Sequence, residues 1–168
     1  KKLWRYRAGE SILSSPAYNN DLLIVTNLDT NLYLLRQKPS LRRVWSLSTR
    51  GRIYSSPLLH QQKIYFGSND GFVYAVDPIA RRTLWKFKTG AAVEATGHIH
   101  KGVLYIGNTL GRLVALQLKT GRLLWERTFS RGIWSTPHVR GERLFVGCND
   151  HFLYALKKKD GQQLWRFR

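Results

Sequence analysis

Five of the six tryptophans, Trp4, Trp45, Trp85, Trp125 and Trp165, stand 41, 40, 40 and 40 residues apart, and only Trp134 falls outside the series. A fixed period of this length means that one supersecondary unit is repeated and that each unit buries its apolar face against the next. Other positions keep the same step. Pro16, Pro57 and Pro137 recur, with Gly97 in the third copy, and so do Gly67, Gly107 and Gly147 and Ala75, Ala115 and Ala155. Tyr33, Tyr74 and Tyr154 follow the period as well, with Val114 as the exception.

The second copy reads as a four-stranded meander. Strand A opens at Ser55-Ser56-Pro57-Leu58-Leu59, and strand B is Lys63 to Gly67. Strand C, Phe72 to Val76, follows Ser68-Asn69-Asp70-Gly71, a group that tolerates the positive φ of a tight hairpin. Strand D is Thr83 to Lys88. Strand B is apolar at consecutive positions in every copy, as a strand covered on both faces requires. Strand D alternates, with Trp85 and Phe87 on one side and Lys86 and Lys88 on the other, so one of its faces packs and the other meets water. No window carries a sustained helical period. Four short strands per 40 residues, with turn residues at each junction, predict an all-β chain: a β-propeller of four-stranded antiparallel blades. The blades are expected over 9–48, 49–88, 89–128 and 129–168, in a single domain. Residues 1–8, with Leu3 to Arg7 as a D-type strand, form a surplus outer strand.

The run Ser55-Ser56-Pro57, Ile64 to Asp77 and Leu84-Trp85 resembles the PQQ-like repeat, and Lys119 to Trp125 and Lys159 to Trp165 match it in the third and fourth copies. The first copy departs most, with Thr26 in place of the glycine and Gln37-Lys38-Pro39-Ser40 in place of the turn that carries one. The resemblance spans the chain and is to the non-enzymatic members, similar to the propeller lipoprotein of the outer-membrane β-barrel assembly machinery. It implies a scaffold for protein-protein interaction in the bacterial cell envelope, periplasmic or otherwise extracytoplasmic. Five D strands for four A-B-C triplets suggest half of an eight-bladed ring, completed by a second copy as a homodimer; single-chain closure and an open fragment are the alternatives.

The resemblance also raises a quinoprotein dehydrogenase, of which this chain would be a fragment. Those enzymes carry calcium-binding and catalytic acidic residues on long insertions and an adjacent cysteine pair. Here no insertion exceeds a turn and Cys148 is the single cysteine, so the reading is of no enzyme and no cofactor. His98 and His138 occupy equivalent strand A positions and can approach each other, without an evident third ligand for a metal. The Ser14-Ser15, Ser55-Ser56 and Ser135-Thr136 pairs recur too regularly to be nucleophiles and read as hydroxyls bonding nearby backbone. Asp70 and Asp150 read as turn residues.

Charge raises a further possibility. With 28 Lys and Arg against 10 Asp and Glu the chain carries +18, enough for a strong positive field. Twenty of the basic residues fall in the C–D turns and D strands, among them Arg81, Arg82, Lys86, Lys88, Lys157, Lys158 and Lys159. Cationic edge strands resist edge-to-edge aggregation, and the same charges form a footprint for nucleic acid or another polyanion, bound non-specifically. The partner-binding candidates lie at the opposite ends of the blades, where short loops carry Arg52, Tyr54, Arg131 and Trp134 as guanidinium and aromatic anchors; packing between blades is the competing role for Tyr54 and Trp134. No apolar run is long enough to cross a bilayer as a helix.

Overall fold

The computed structural model describes residues 5–19 and 21–168. Its sixteen strands form four antiparallel sheets, each a simple meander. The first blade holds β1 (Ala17–Asn19), β2 (Leu22–Thr26), β3 (Asn31–Arg36) and β4 (Arg42–Ser48). The second holds β5 (Leu58–His60), β6 (Lys63–Gly67), β7 (Phe72–Asp77) and β8 (Arg82–Lys88). The third is β9 (His98–His100), β10 (Val103–Gly107), β11 (Arg112–Gln117) and β12 (Leu123–Thr128), and the fourth β13 (His138–Arg140), β14 (Arg143–Cys148), β15 (Phe152–Lys157) and β16 (Gln163–Phe167). The innermost strands approach their neighbours, β1 beside β5 and β9 beside β13, so strand A lines the axis and strand D the rim.

The middle strands are buried on both sides, Ile64 to Gly67 and Val73 to Val76 among them, whereas β8 alternates between half-buried Trp85 and Phe87 and exposed Lys86 and Lys88. Strand D is not continuous with its partner. Ala75 opposes Trp85 while Val76 opposes Thr83, so Leu84 is an extra residue, and the same bulge recurs at Val44, Leu124 and Leu164. A bulge adds local twist, and here it precedes the tryptophan in every copy.

That tryptophan locks one blade to the next. Trp85 Nε1 donates to the Leu118 carbonyl at 3.0 Å, and Trp125 Nε1 to the Lys158 carbonyl at 2.9 Å. Each indole lies against the glycine of the next C–D turn. A Cβ on Gly121 would come within 2.6 Å of Trp85, one on Gly161 within 2.7 Å of Trp125, and both glycines have φ +72. Glycine is therefore demanded twice, by the backbone and by the ring. At the other end of strand B, Gly67 and Gly107 admit Val93 and Ile133 of the following blade. In the first copy Thr26 takes this place without breaking the pattern: it is fully buried and its hydroxyl donates to the Ser55 carbonyl at 2.8 Å. The recurring serines are backbone clamps, Ser55 Oγ to the Gly67 carbonyl at 2.8 Å and Ser135 Oγ to the Gly147 carbonyl at 2.9 Å.

The two ends of the arc differ. Leu3 and Trp4 lie outside the described residues, but the rest of the expected leading strand does not: residues 5–8 form no strand, and Tyr6 and Ala8 instead pack on Val25, Tyr33 and Leu35 of the first blade. Tyr6, two residues after Trp4, covers the first blade as Phe87 covers the third. At the fourth blade no described residue covers the outward face of the sheet. Residues of β16 are exposed throughout, with Trp165 at 41% and Phe167 at 70%.

Candidate functional site

In each blade the B–C and D–A loops meet at one end. Three blades close that end with the same lock. The Asp of the B–C turn accepts the turn's own N–H, as Asp70 does from Phe72 at 3.1 Å, and accepts a tyrosine hydroxyl from strand C: Tyr33 to Asp29 at 2.6 Å, Tyr74 to Asp70 at 2.6 Å and Tyr154 to Asp150 at 2.7 Å. Asp29 and Asp70 also take an N–H from the incoming D–A loop, and Asp150 takes the Ser130 hydroxyl. Burial and the Asp29 bond together push the Tyr33 hydroxyl up to about 12. Burial would raise Asp29 and Asp150, but the bonds they accept, the tyrosine hydroxyl foremost, leave both below the usual carboxylate range. Asp70 and Asp150 are thus turn and lock residues, as their setting in the sequence suggests.

The third blade lacks both partners of this lock. Leu110 stands where the aspartate would be and Val114 where the tyrosine would be. Asn108 supplies the turn bonds instead, its side-chain oxygen accepting from Leu110 at 3.1 Å and Arg112 at 2.9 Å. Leu110 is left 71% exposed. Beside it a groove of about 440 Å³ runs between the third and fourth blades, lined by Leu110, Ser130, Arg131, Trp134, Asn149 and His151.

Trp134 forms one wall, 44% exposed, and is held in place rather than loose: its Nε1 donates to Glu94 Oε2 at 2.6 Å, while Asn69 Nδ2 donates to Glu94 Oε1 at 3.1 Å. Asn69, Glu94 and Trp134 thus tie together three successive blades. Arg131 is exposed, and its carbonyl accepts the buried Cys148 thiol at 3.2 Å; burial leads the effects that raise that thiol. The structure therefore brings Arg131 and Trp134 together. Arg52 and Tyr54 lie at the same end but in the loop entering the second blade, Arg52 exposed and Tyr54 half-buried, outside the residues lining the groove. Leu110 and Glu94 were not singled out by sequence. The signal available was the joint departure of positions 110 and 114 from the repeat.

The basic candidates sit elsewhere. Arg81, Lys158 and Lys159 belong to the C–D turns at the far end, Arg82 and Lys157 are the strand residues flanking those turns, and Lys86 and Lys88 project from the rim strand. Lys158 is engaged, pairing with Glu142 at 2.8 Å and donating to the Gly141 carbonyl at 2.9 Å, and Lys86 lies 4.9 Å over the Phe72 ring. His98 and His138 do approach, with ring centroids 5.0 Å apart, and among the described residues no cluster of three potential metal ligands forms.

The family model for the outer membrane protein assembly factor BamB matches residues 1–80 and 69–168, and so the whole chain. The chain belongs to that family. Its fold is that of BamB from Moraxella catarrhalis, with a TM-score of 0.86 at 19% identity, covering 97% of this chain and 54% of that one. The computationally designed Ika4 protein matches at 0.82 and 12% identity over 94% of this chain and 98% of that one. A quinohemoprotein alcohol dehydrogenase, ADHIIG from Pseudomonas putida HK5, matches at 0.83 and 14% identity over 98% of this chain and 35% of that one. No curated protein matches in sequence. The chain thus spans about half the length of the BamB structure.

Proposed function

We propose that this protein is a non-catalytic scaffold of the bacterial cell envelope that takes a protein partner on the blade end carrying Leu110, Arg131 and Trp134. The observation that carries the reading is the missing lock of the third blade. Where three blades spend an Asp and a Tyr on holding their loops, the third presents an exposed leucine beside the anchored tryptophan and exposed arginine of the loop that enters the fourth. Tryptophan and arginine are among the residues in which binding hot spots are enriched, an apolar neighbour such as Leu110 adds surface to bury, and a rigid sheet beneath short loops keeps the cost of ordering small. Membership of the family described as an outer membrane protein assembly factor supports the envelope setting. Site-specific photocrosslinking tests it: a crosslinker at position 110, in the protein produced in the periplasm of a bacterial host, gives one dominant protein adduct, while one at position 62 on the far end gives none. Equal adducts from both positions, or none from 110, overturn the reading.

We also infer that the arc is completed into an eight-bladed ring by a second copy. Phe145, Leu153, Trp165 and Phe167 form a face whose counterparts in the second and third blades are covered, and among the described residues Trp165 finds no carbonyl to match those used by Trp85 and Trp125. The place that a copy's Trp165 and Phe167 would occupy on the first blade is held by the leading segment through Tyr6, so ring closure displaces that segment. Light scattering over a hundredfold dilution should give twice 19.5 kDa, falling to the monomer for Trp165→Ala; the monomer mass at every concentration refutes it.

A further inference from the structure

We propose that the end of the blades opposite the Leu110 groove docks on an anionic lipid bilayer, with Ile79 entering the headgroup region. The charge of the chain is not spread evenly between its two ends. Counting each A–B and C–D turn with one residue on either side gives fourteen Lys and Arg against four Asp and Glu; the B–C and D–A loops, taken the same way with residues 8–17, give five against five. Most of the +18 therefore faces one way.

The basic end is built of rigid turns. C–D turns hydrogen-bond back onto the A–B turns, as in Leu118 N–H to the Gly102 carbonyl at 2.9 Å and Lys158 N–H to the Glu142 carbonyl at 3.0 Å. Two interblade grooves open there, one of about 700 Å³ with Lys63, Lys101 and Lys119 on its walls, the other of about 290 Å³ with Lys101, Lys158 and Lys159. Lys63 and Lys158 are paired with Asp77 and Glu142. Among the described residues no carboxylate reaches ion-pair distance of Lys119 or Lys159, which leaves each groove a cation for a phosphate headgroup.

Apolar side chains are exposed among these charges, Leu84 and Leu124 on the groove walls and, more exposed than either, Ile79. Ile79 is 69% exposed at the tip of the second C–D turn, followed by Arg81 and Arg82. Its presentation is fixed: Asp77 Oδ1 accepts the N–H groups of Ile79 at 2.9 Å and Ala80 at 3.0 Å, and Asp77 Oδ2 is held by Lys63 at 2.7 Å. An aliphatic tip within a broad cationic end suits a bilayer surface, where apolar burial adds to attraction for anionic headgroups. The two grooves suit single-stranded nucleic acid poorly, because stacking needs exposed rings, whereas the rings beside them, Tyr65 and Tyr105, are buried and Trp85 and Trp125 are turned into the blade interfaces. The geometry points the Leu110 groove away from the membrane, toward a partner.

Vesicle co-sedimentation of the 168-residue protein tests this. Vesicles of phosphatidylcholine with roughly a third phosphatidylglycerol should bind it and pure phosphatidylcholine should not, with binding falling as salt rises. Lys119→Gln with Lys159→Gln should weaken it about fivefold per cation removed, and Ile79→Ser should weaken binding to vesicles while leaving binding to heparin and to duplex DNA unchanged. Circular dichroism checks that these exposed-site variants remain folded, and Arg81→Gln with Arg82→Gln supplies a second charge variant. Binding that is indifferent to phosphatidylglycerol, or to both charge variants, overturns the proposal. So does tighter binding to DNA than to vesicles combined with no effect of Ile79→Ser, which would identify a polyanion site instead.

Discussion

Substituting Trp125 by alanine separates a blade lock from an ordinary buried ring, because the chain carries its own control. Trp125 lies against Gly161, within 5.9 Å of Tyr105 between centroids, and donates to the Lys158 carbonyl at 2.9 Å. Truncating a large core aromatic costs about 3–5 kcal/mol. The indole is only half-buried, which argues for the lower end, about 3 kcal/mol, and the orphaned carbonyl adds about 1 kcal/mol. For a chain of this size a total of about 4 kcal/mol lowers the melting temperature by roughly 8–16 °C. Trp165 has the same chain position in its repeat but, among the described residues, an uncovered face and no carbonyl partner, so Trp165→Ala in dilute, monomeric protein costs about 1 kcal/mol. Thermal melts of both variants read the difference. Equal losses, or no loss at Trp125, would refute the lock.

Gly161→Ala, with φ +72 and a Cβ aimed 2.7 Å from the Trp125 ring, destabilises by about 2–3 kcal/mol, whereas Gly141→Ala, with positive φ and open space around it, costs about 1 kcal/mol; urea midpoints compare them. Acidification below about 6.5 lowers the melting temperature through His98. Burial, with His138 and His100 nearby, depresses its pKa in the folded chain, so the unfolded chain binds the proton first and the stability present above that pH is lost as pH falls. His98→Gln flattens that part of the profile. Tyr154→Phe removes the hydroxyl that holds Asp150, costing about 1 kcal/mol and moving the Asp150 carboxyl back toward its ordinary range, which carboxyl NMR titration follows.

The blades were legible because their physics is periodic: consecutive apolar residues mark strands covered twice, as at Ile64 to Phe66, and alternation marks the rim, as at Trp85 to Lys88. The bulge was not, since Leu84 beside Trp85 looks like a strand continuing when it is in fact an inserted residue. Thr26 stands where the other copies have glycine and is a replacement clamp, because its hydroxyl finds a carbonyl across the blade boundary, a partner that the sequence of one repeat does not reveal. Half of the site was readable. Arg131 and Trp134 interrupt the repeat with residues of binding type, but Tyr54, at the equivalent position two copies earlier, is half-buried, and nothing local distinguishes the two. Leu110 escaped notice because a leucine in a turn carries no chemistry by itself; its meaning lies in the simultaneous loss of the Tyr at 114, a correlation between loop and strand.

That correlation can be reversed. Leu110→Asp with Val114→Tyr rebuilds in the third blade the lock present in the other three, and Leu110→Asp alone removes the apolar tip without placing a larger side chain in the core. The decisive measurement is photocrosslinking from a probe at position 149, on the wall of the same groove, in both backgrounds, with melts to establish that each is folded. The account predicts that the protein adduct formed by the parent chain disappears in both. An adduct that persists unchanged in a folded Leu110→Asp protein would contradict the claim that the open blade is where the partner binds.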